Sequence, residues 1–189
     1  MSTAPRPGQL HPALTSNPDG SQPGPSELLA AVRALARRSA LDEAGVLRRP
    51  VPSGPATTRW YEPLSAGELD AWLIWWSRGG EVDLHDHGGA GGAVYVLEGR
   101  LLETYGSKRG GRLQRRTLQA DSSIAFGTDY VHDVINVRPE PAVSVHVYGP
   151  RLDAMTYYRV DERSGRLVPD RTERVDPISE ARSTVGLTA

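Results

Sequence analysis

His85 and His87 stand two residues apart in the stretch Gly79-Gly80-Glu81-Val82-Asp83-Leu84-His85-Asp86-His87, which reads as extended. A strand repeats every two residues, so both imidazoles leave the same face. Two imidazoles side by side can bind a first-row metal. Taken alone, the pair is equally compatible with two partly exposed histidines beside a Gly-rich loop. A third histidine, His132, lies in the apolar run Val131–Val137, with Asn136 four residues on. Several strands can turn back between His87 and His132, and a barrel can bring the third ring beside the first two. The chain has no cysteine. That removes disulfides, thiolate ligands and a cysteine nucleophile together, so any metal must use His or carboxylate.

A second constellation is Ser144, His146 and Tyr148. Positions i, i+2 and i+4 of a strand share one face, and Val143, Val145 and Val147 fill the other. Three polar groups on an inward face are costly if unpaired. They can satisfy one another, the Ser hydroxyl on one ring nitrogen and the Tyr phenol on the other, which fixes the imidazole tautomer. The alternative is an exposed strand face that carries them by chance.

The elements that must position these groups follow from the punctuation of the chain. Residues 1–24 are rich in Pro, Ser and Gly and read as a disordered tail, His11 included. Ser26 can cap a helix starting at Glu27, with Leu28, Val32 and Leu35 in one stripe and Leu29 and Ala36 beside it. A second short helix is expected over Leu41–Leu47. Both read as helices packed on the main domain. After Pro55 the chain becomes β-rich. Strands are expected at Thr57–Glu62, Asp70–Ser77, Val82–His87, Ala93–Glu98, Arg100–Tyr105, Leu113–Leu118, Ser122–Phe126, Val131–Val137, Ala142–Tyr148 and Met155–Val160. The continuous apolar character of Asp70–Ser77 predicts burial on both faces. From Asp161 the chain is polar, with one hairpin near Leu167. The expected organisation is a tail over 1–24, one domain over 25–172 and a flexible tail over 173–189. Many short strands with little helix between them predict a mainly β sandwich or small barrel with N-terminal helices.

Composition narrows the function classes. At 189 residues with 38% hydrophobic residues, one domain with a real core is expected. A net charge of −1 gives no argument for nucleic acid or an anionic membrane. No apolar run approaches the roughly 18–20 residues of a membrane span. With no apolar signal-peptide core at the N-terminus, a cytoplasmic protein is the simplest expectation. Oligomeric state is not legible.

The spacing Gly79–x5–His85–x–His87, then x11 and Gly99, resembles the first motif of the cupin family, and His132–x3–Asn136 resembles the end of the second. The resemblance implies a small β-barrel or jelly roll. The glutamate ligand usual in the first motif would fall at Gly91 or Gly92, and Asp83 and Asp86 alternate with the histidines and should point away. The expected ligand set is therefore His85, His87 and His132. Leu84-His85-Asp86-His87 together with Ser144-Val145-His146-Val147-Tyr148 resembles the cysteine dioxygenase family of thiol dioxygenases, over roughly Trp60 to Tyr148. That resemblance implies Fe(II) on the three histidines, a small thiol and O2 as substrates, and a sulfinate product, with Tyr148 orienting substrate or stabilising the oxygen adduct and Ser144 and His146 holding the phenol. L-cysteine comes first among thiols.

Two departures from the family pattern matter. Some members join a cysteine to the active-site tyrosine; the matching position is Gly92, so Tyr148 is expected to be uncrosslinked. Cysteine-specific members hold the substrate carboxylate with an arginine on an early strand. Aligned through Leu64, that position falls on Glu62, which would repel a carboxylate. Arg59 is three residues away, an odd offset that puts it on the opposite strand face from Glu62, and Trp60 may as well be a pocket wall as a core aromatic. Three readings follow: Arg59 is brought inward, another group binds the carboxylate, or the thiol is one such as 3-mercaptopropionate. An alternative of a different class is a non-catalytic cupin that binds a metal or small ligand.

Overall fold

The structure, a computed structural model, describes residues 22–41, 59–64 and 66–175. The expected helix over Leu41–Leu47 and the N-terminal tail through residue 21 lie outside the described residues. Helix α1 (Pro25–Leu41) begins two residues before the expected start. Gly24 takes the capping place: its carbonyl accepts from the amides of Glu27 and Leu28, while the Glu27 carboxylate accepts from the Gly24 amide at 2.7 Å. Pro25, with its fixed φ and no donor to satisfy, suits the first helical position better than Ser26 would suit the cap.

Eleven strands follow: β1 (Arg59–Pro63), β2 (Asp70–Trp76), β3 (Glu81–His85), β4 (Gly91–Glu98), β5 (Arg100–Ser107), β6 (Gln114–Gln119), β7 (Ser123–Phe126), β8 (Tyr130–Ile135), β9 (Ala142–Gly149), β10 (Ala154–Val160) and β11 (Leu167–Arg174). One sheet has the order β1-β2-β9-β4-β7 and the other β11-β10-β3-β8-β5-β6. All pairings are antiparallel. β11 runs to Arg174, and the Val175 amide bonds the Asp153 carbonyl while its side chain packs on the core.

The strand period sorts the first sheet into two cores. Ala71, Leu73 and Trp75 of β2 and Val143, Val145 and Val147 of β9 pack against Leu28, Ala31, Val32 and Leu35 of α1. The alternate residues Trp72, Ile74 and Trp76 face the second sheet, where Val82, Leu101, Leu118 and Val134 meet them. Both β2 and β9 are buried along their whole length, because helix covers one face and sheet the other. Among the described residues no helix is long and apolar enough to cross a membrane.

β3 is not a regular strand. It pairs Val82 with Val134 but His85 with His132, so one extra residue is inserted on β3 between the two pairs. Such a bulge reverses the alternation. Val82 and His85 both face inward although they are three residues apart, and β3 stops at His85.

Leu73 is fully buried between helix and sheet on the face away from the cavity. Leu73→Ala should cost about 2–5 kcal/mol in urea unfolding while leaving the affinity for a divalent metal at its wild-type value.

Candidate metal centre

His85 ends β3, His132 lies opposite it on β8, and His87 follows in the turn that closes with the Ala90 amide on the His87 carbonyl. The rings pack on one another, with centroids 4.7 Å (His85–His132), 4.9 Å (His85–His87) and 5.0 Å (His87–His132) apart. One ring nitrogen from each lies within 4.8 Å of the other two. The expected geometric route, a regular strand presenting His85 and His87 by its two-residue period, is not the one the chain uses. The bulge aims His85, and the turn aims His87.

The turn is held by Asp86, which points away from the histidines as expected but is buried rather than solvated. Its carboxylate accepts from the amides of Gly88 and Thr156, from Tyr158 Oη at 2.9 Å and from Lys108 Nζ at 3.4 Å. Burial pushes this carboxyl up, but those hydrogen bonds and the Lys108 charge outweigh it and hold it below the ordinary carboxylate range. Gly88, at φ +59°, carries the chain past β10 so closely that a β-carbon would lie 2.5 Å from the Ala154 carbonyl oxygen. Asp83 is exposed and pairs with Arg171.

The nitrogens fit a metal. His85 Nδ1 is 2.7 Å from the Asp83 carbonyl and His132 Nδ1 is 2.7 Å from Glu103 Oε1. Each of these contacts makes Nδ1 the donor and leaves Nε2 with a lone pair. Both ring nitrogens of His87 are buried without a hydrogen-bond partner, a costly arrangement that a metal would relieve. Burial first, and then the neighbouring imidazoles, depress the pKa of His85 and of His87, so all that is required for ligation, a neutral ring, is favoured. Among the described residues, no carboxylate oxygen belongs to the cluster. Neutral imidazoles of this number suit Fe, Zn, Cu or Ni.

Ser144, His146 and Tyr148 all lie on the inward face of β9 and are buried. Ser144 Oγ is 2.9 Å from His146 Nε2, and His146 Nδ1 is 3.2 Å from Tyr148 Oη. Trp76 Nε1 adds a donor to Ser144 Oγ at 2.9 Å. Burial above all, then the neighbouring His132, lowers the pKa of His146 to about 3. Tyr148 stacks on His87 at 5.1 Å, and Phe126 stacks on the same ring at 4.8 Å. A β-carbon at Gly92 would lie 2.5 Å from Phe126 and 3.0 Å from Tyr148. Phe126, the only phenylalanine of the chain, thus takes the space that any side chain at position 92 would need.

A cavity of about 60 Å³ opens beside the histidines, lined by His85, His132, His146, Tyr148, Arg59 and Tyr61 among others. Arg59 faces it. On β1 the pairs Arg59–Trp76 and Tyr61–Ile74 share the inward face, whereas Trp60–Trp75 and Glu62–Leu73 share the helix face. Trp60 is therefore part of the core under α1, and neither it nor Glu62 lines the cavity. The expectation that placed Glu62 at the substrate carboxylate is corrected: Arg59 and Glu62 do lie on opposite faces, and the cavity is on the arginine's side. The Arg59 guanidinium lies 5.2 Å from the Tyr61 ring and 5.7 Å from the Trp76 ring.

Glu103 escaped the sequence reading. It is fully buried and accepts from His132, from Arg116 and from Tyr130 Oη at 2.7 Å. Burial pushes its carboxyl up, but His132 and Arg116 hold it below the usual value. Leu101 and Glu103 alternate on the inward phase of β5, and a charge in that phase was the available signal.

Two packed antiparallel sheets carrying a three-histidine cluster at their inner face define a cupin. An oxalate oxidase structure is 18% identical with a TM-score of 0.50 over 68% of this chain and 73% of that one, a likeness of fold alone. The family model for cysteine dioxygenase type I matches residues 57–163. Cysteine dioxygenase type 1 of Rattus norvegicus is 32% identical over 108 residues, and that of Homo sapiens 28% over 107, in each case 52% of this chain and 52% of the relative. The chain belongs to the cysteine dioxygenase type I family, and it spans about half the length of the curated relatives it matches.

His146 provides a test of the buried network. Below its ordinary pKa of 6.5 the unfolded chain binds a proton at this position, whereas the folded chain does not until about pH 3. Stability therefore falls as pH drops from 6.5 toward 3. Between pH 7.5 and pH 5.0, metal-free wild-type protein should lose about 2 kcal/mol more than His146→Gln in urea unfolding. Equal losses would mean that His146 takes up its proton in the folded state.

Proposed function

We propose that this chain is an iron(II)-dependent thiol dioxygenase that adds both atoms of O2 to the sulfur of a small carboxylate thiol, L-cysteine first. The observation that carries this reading is the convergence of three buried histidines, with no carboxylate donor among the described residues, beside a cavity that also presents Tyr148 and Arg59. His85, His87 and His132 would hold the metal. Ferrous iron in that site supplies the redox chemistry by which both atoms of dioxygen reach a substrate sulfur.

The protein's own groups bind and orient. Arg59 offers a planar, permanently charged fork to a carboxylate. No Asp or Glu is among the described residues lining the cavity, so no acid there competes for the guanidinium. Tyr61 and Trp76 flank it with aromatic faces, which favour a cation without neutralising it. Trp72, Ile74, Leu152 and Met155 keep the walls apolar, which strengthens every polar contact inside.

The β9 relay has one consistent proton arrangement. Trp76 Nε1 can only donate, so Ser144 Oγ accepts from it. The buried Ser144 hydrogen then has His146 Nε2 as its acceptor. His146 is neutral, so Nδ1 carries its hydrogen and donates to Tyr148 Oη. The phenolic hydrogen is thereby turned away from His146, and Tyr148 is the group placed to orient substrate or stabilise the oxygen adduct. The case for 3-mercaptopropionate as first substrate rested on Glu62 facing the thiol, and Glu62 lies on the helix side.

Oxygen uptake by anaerobically iron-loaded protein against L-cysteine, 3-mercaptopropionate and cysteamine, with products identified by mass, tests this. Uptake with L-cysteine and a sulfinate product are expected; no uptake with any thiol would return the chain to a non-catalytic metal-binding role. Tyr148→Phe should retain iron and lose about 10²-fold in turnover. Arg59→Gln should raise KM for the two carboxylate thiols by about 10–100-fold, from the loss of a charge-assisted hydrogen bond, and leave cysteamine unchanged.

A further inference from the structure

The three imidazoles are backed unequally. His85 Nδ1 meets a neutral backbone carbonyl, and His87 has no partner at either nitrogen. Only His132 is backed by a charge, the carboxylate of Glu103 at 2.7 Å. That carboxylate is anchored on all sides. Arg116 Nε donates to Oε2, Tyr130 Oη donates to Oε1, and Arg116 Nη2 donates to Tyr130 Oη at 2.6 Å. The Arg116 guanidinium in turn covers the Tyr105 ring at 4.1 Å. Strand register builds the cluster: Glu103 on β5 pairs with Arg116 on β6 and Val134 on β8, two residues along from the Tyr105–His132 pair and so on the same face.

Building on the three-histidine reading of the site, we propose that Glu103 is a positioning residue that serves as the centre's carboxylate at one remove: it fixes His132 with Nε2 unprotonated and makes that ring the strongest donor of the three. No carboxylate among the described residues joins the three rings directly. Beside His87, the space at Gly92 is taken by Phe126, 2.5 Å from where a β-carbon would lie. The negative charge enters instead through an imidazole, where a carboxylate raises the basicity of the ligand it holds. Arg116 and Tyr130 keep that charge anionic and aimed, without themselves touching the histidines. The competing account makes Glu103 a structural ion pair that merely ties β5, β6 and β8 together.

Wild type, Glu103→Gln, the double variant Glu103→Gln/Arg116→Gln and a His132→Ala control separate these accounts. For each, thermal unfolding of the metal-free protein, Fe(II) affinity by anaerobic chelator competition and the Fe(III)/Fe(II) midpoint potential are measured. Glu103→Gln should weaken Fe(II) binding by about 10–100-fold and move the midpoint positive, because a charge that favours the ferric ion is gone. The double variant, which no longer leaves the Arg116 charge opposite a neutral amide, should unfold at a higher temperature than the single variant yet keep the weak affinity and the positive midpoint. Wild-type affinity and midpoint in either variant would overturn the inference. So would a double variant that recovers affinity together with thermal stability. His132→Ala binding Fe(II) as tightly as wild type would instead bring down the three-histidine reading itself, and this inference with it.

Discussion

Three imidazoles stacked edge and face inside a closed sandwich cannot all carry protons, and the site depends on that constraint. Their rings are buried and within about van der Waals reach of one another. A proton on His85 or His87 would face desolvation and the neighbouring imidazoles, so both rings are held neutral with lone pairs to offer. That is the state a divalent cation requires. The surroundings are arranged to preserve it. A backbone carbonyl occupies Nδ1 of His85, a carboxylate occupies Nδ1 of His132, and Asp86 locks the turn that delivers His87.

The first sheet solves a different problem, that of holding a phenol beside this cluster. β9 has neighbours on both edges and is buried along its whole length, so its inward polar row is satisfied chiefly by its own members. Trp76 from β2 supplies the donor that completes the row. Phe126 from β7 and Gly92 from β4 set the space beside Tyr148, the ring filling what the glycine leaves. Rigidity of the tyrosine therefore comes from packing and hydrogen bonds contributed by four strands. No covalent link is needed to hold it.

How much of this was legible in the sequence depended on whether the signal was periodic. β2 was readable because its apolar run is continuous from Ala71 to Trp76, and β9 because apolar and polar sets alternate cleanly along it. The histidine cluster was readable from spacing, but the mechanism that gathers it was not: a bulge is one inserted residue, and nothing in Val82-Asp83-Leu84-His85 marks where the period breaks. The face of β1 was not readable either. Arg59-Trp60-Tyr61-Glu62 mixes polar and aromatic residues in both phases, so the register with Trp76 and Ile74 on β2 had to decide it. Glu103 was missed because an isolated acid in a strand reads as solvent-facing, and its partners Arg116, Tyr130 and His132 come from two other strands.

The distribution of charge around the cavity carries the argument one step further. Two arginines lie near the histidines and are treated in opposite ways. Arg116 faces a carboxylate, so its charge is spent on Glu103 and reaches the centre only as a fixed orientation of His132. Arg59 faces aromatic rings, which hold a cation in place while leaving its field intact. Among the described lining residues, Arg59 therefore keeps its charge with no acid beside it. An anionic ligand entering the cavity meets a donor fork at Arg59 and the phenol of Tyr148, whereas a cationic one meets no acid among the described lining residues. Selection by charge therefore follows from which face of β1 the arginine occupies, a property set by strand register rather than by residue type.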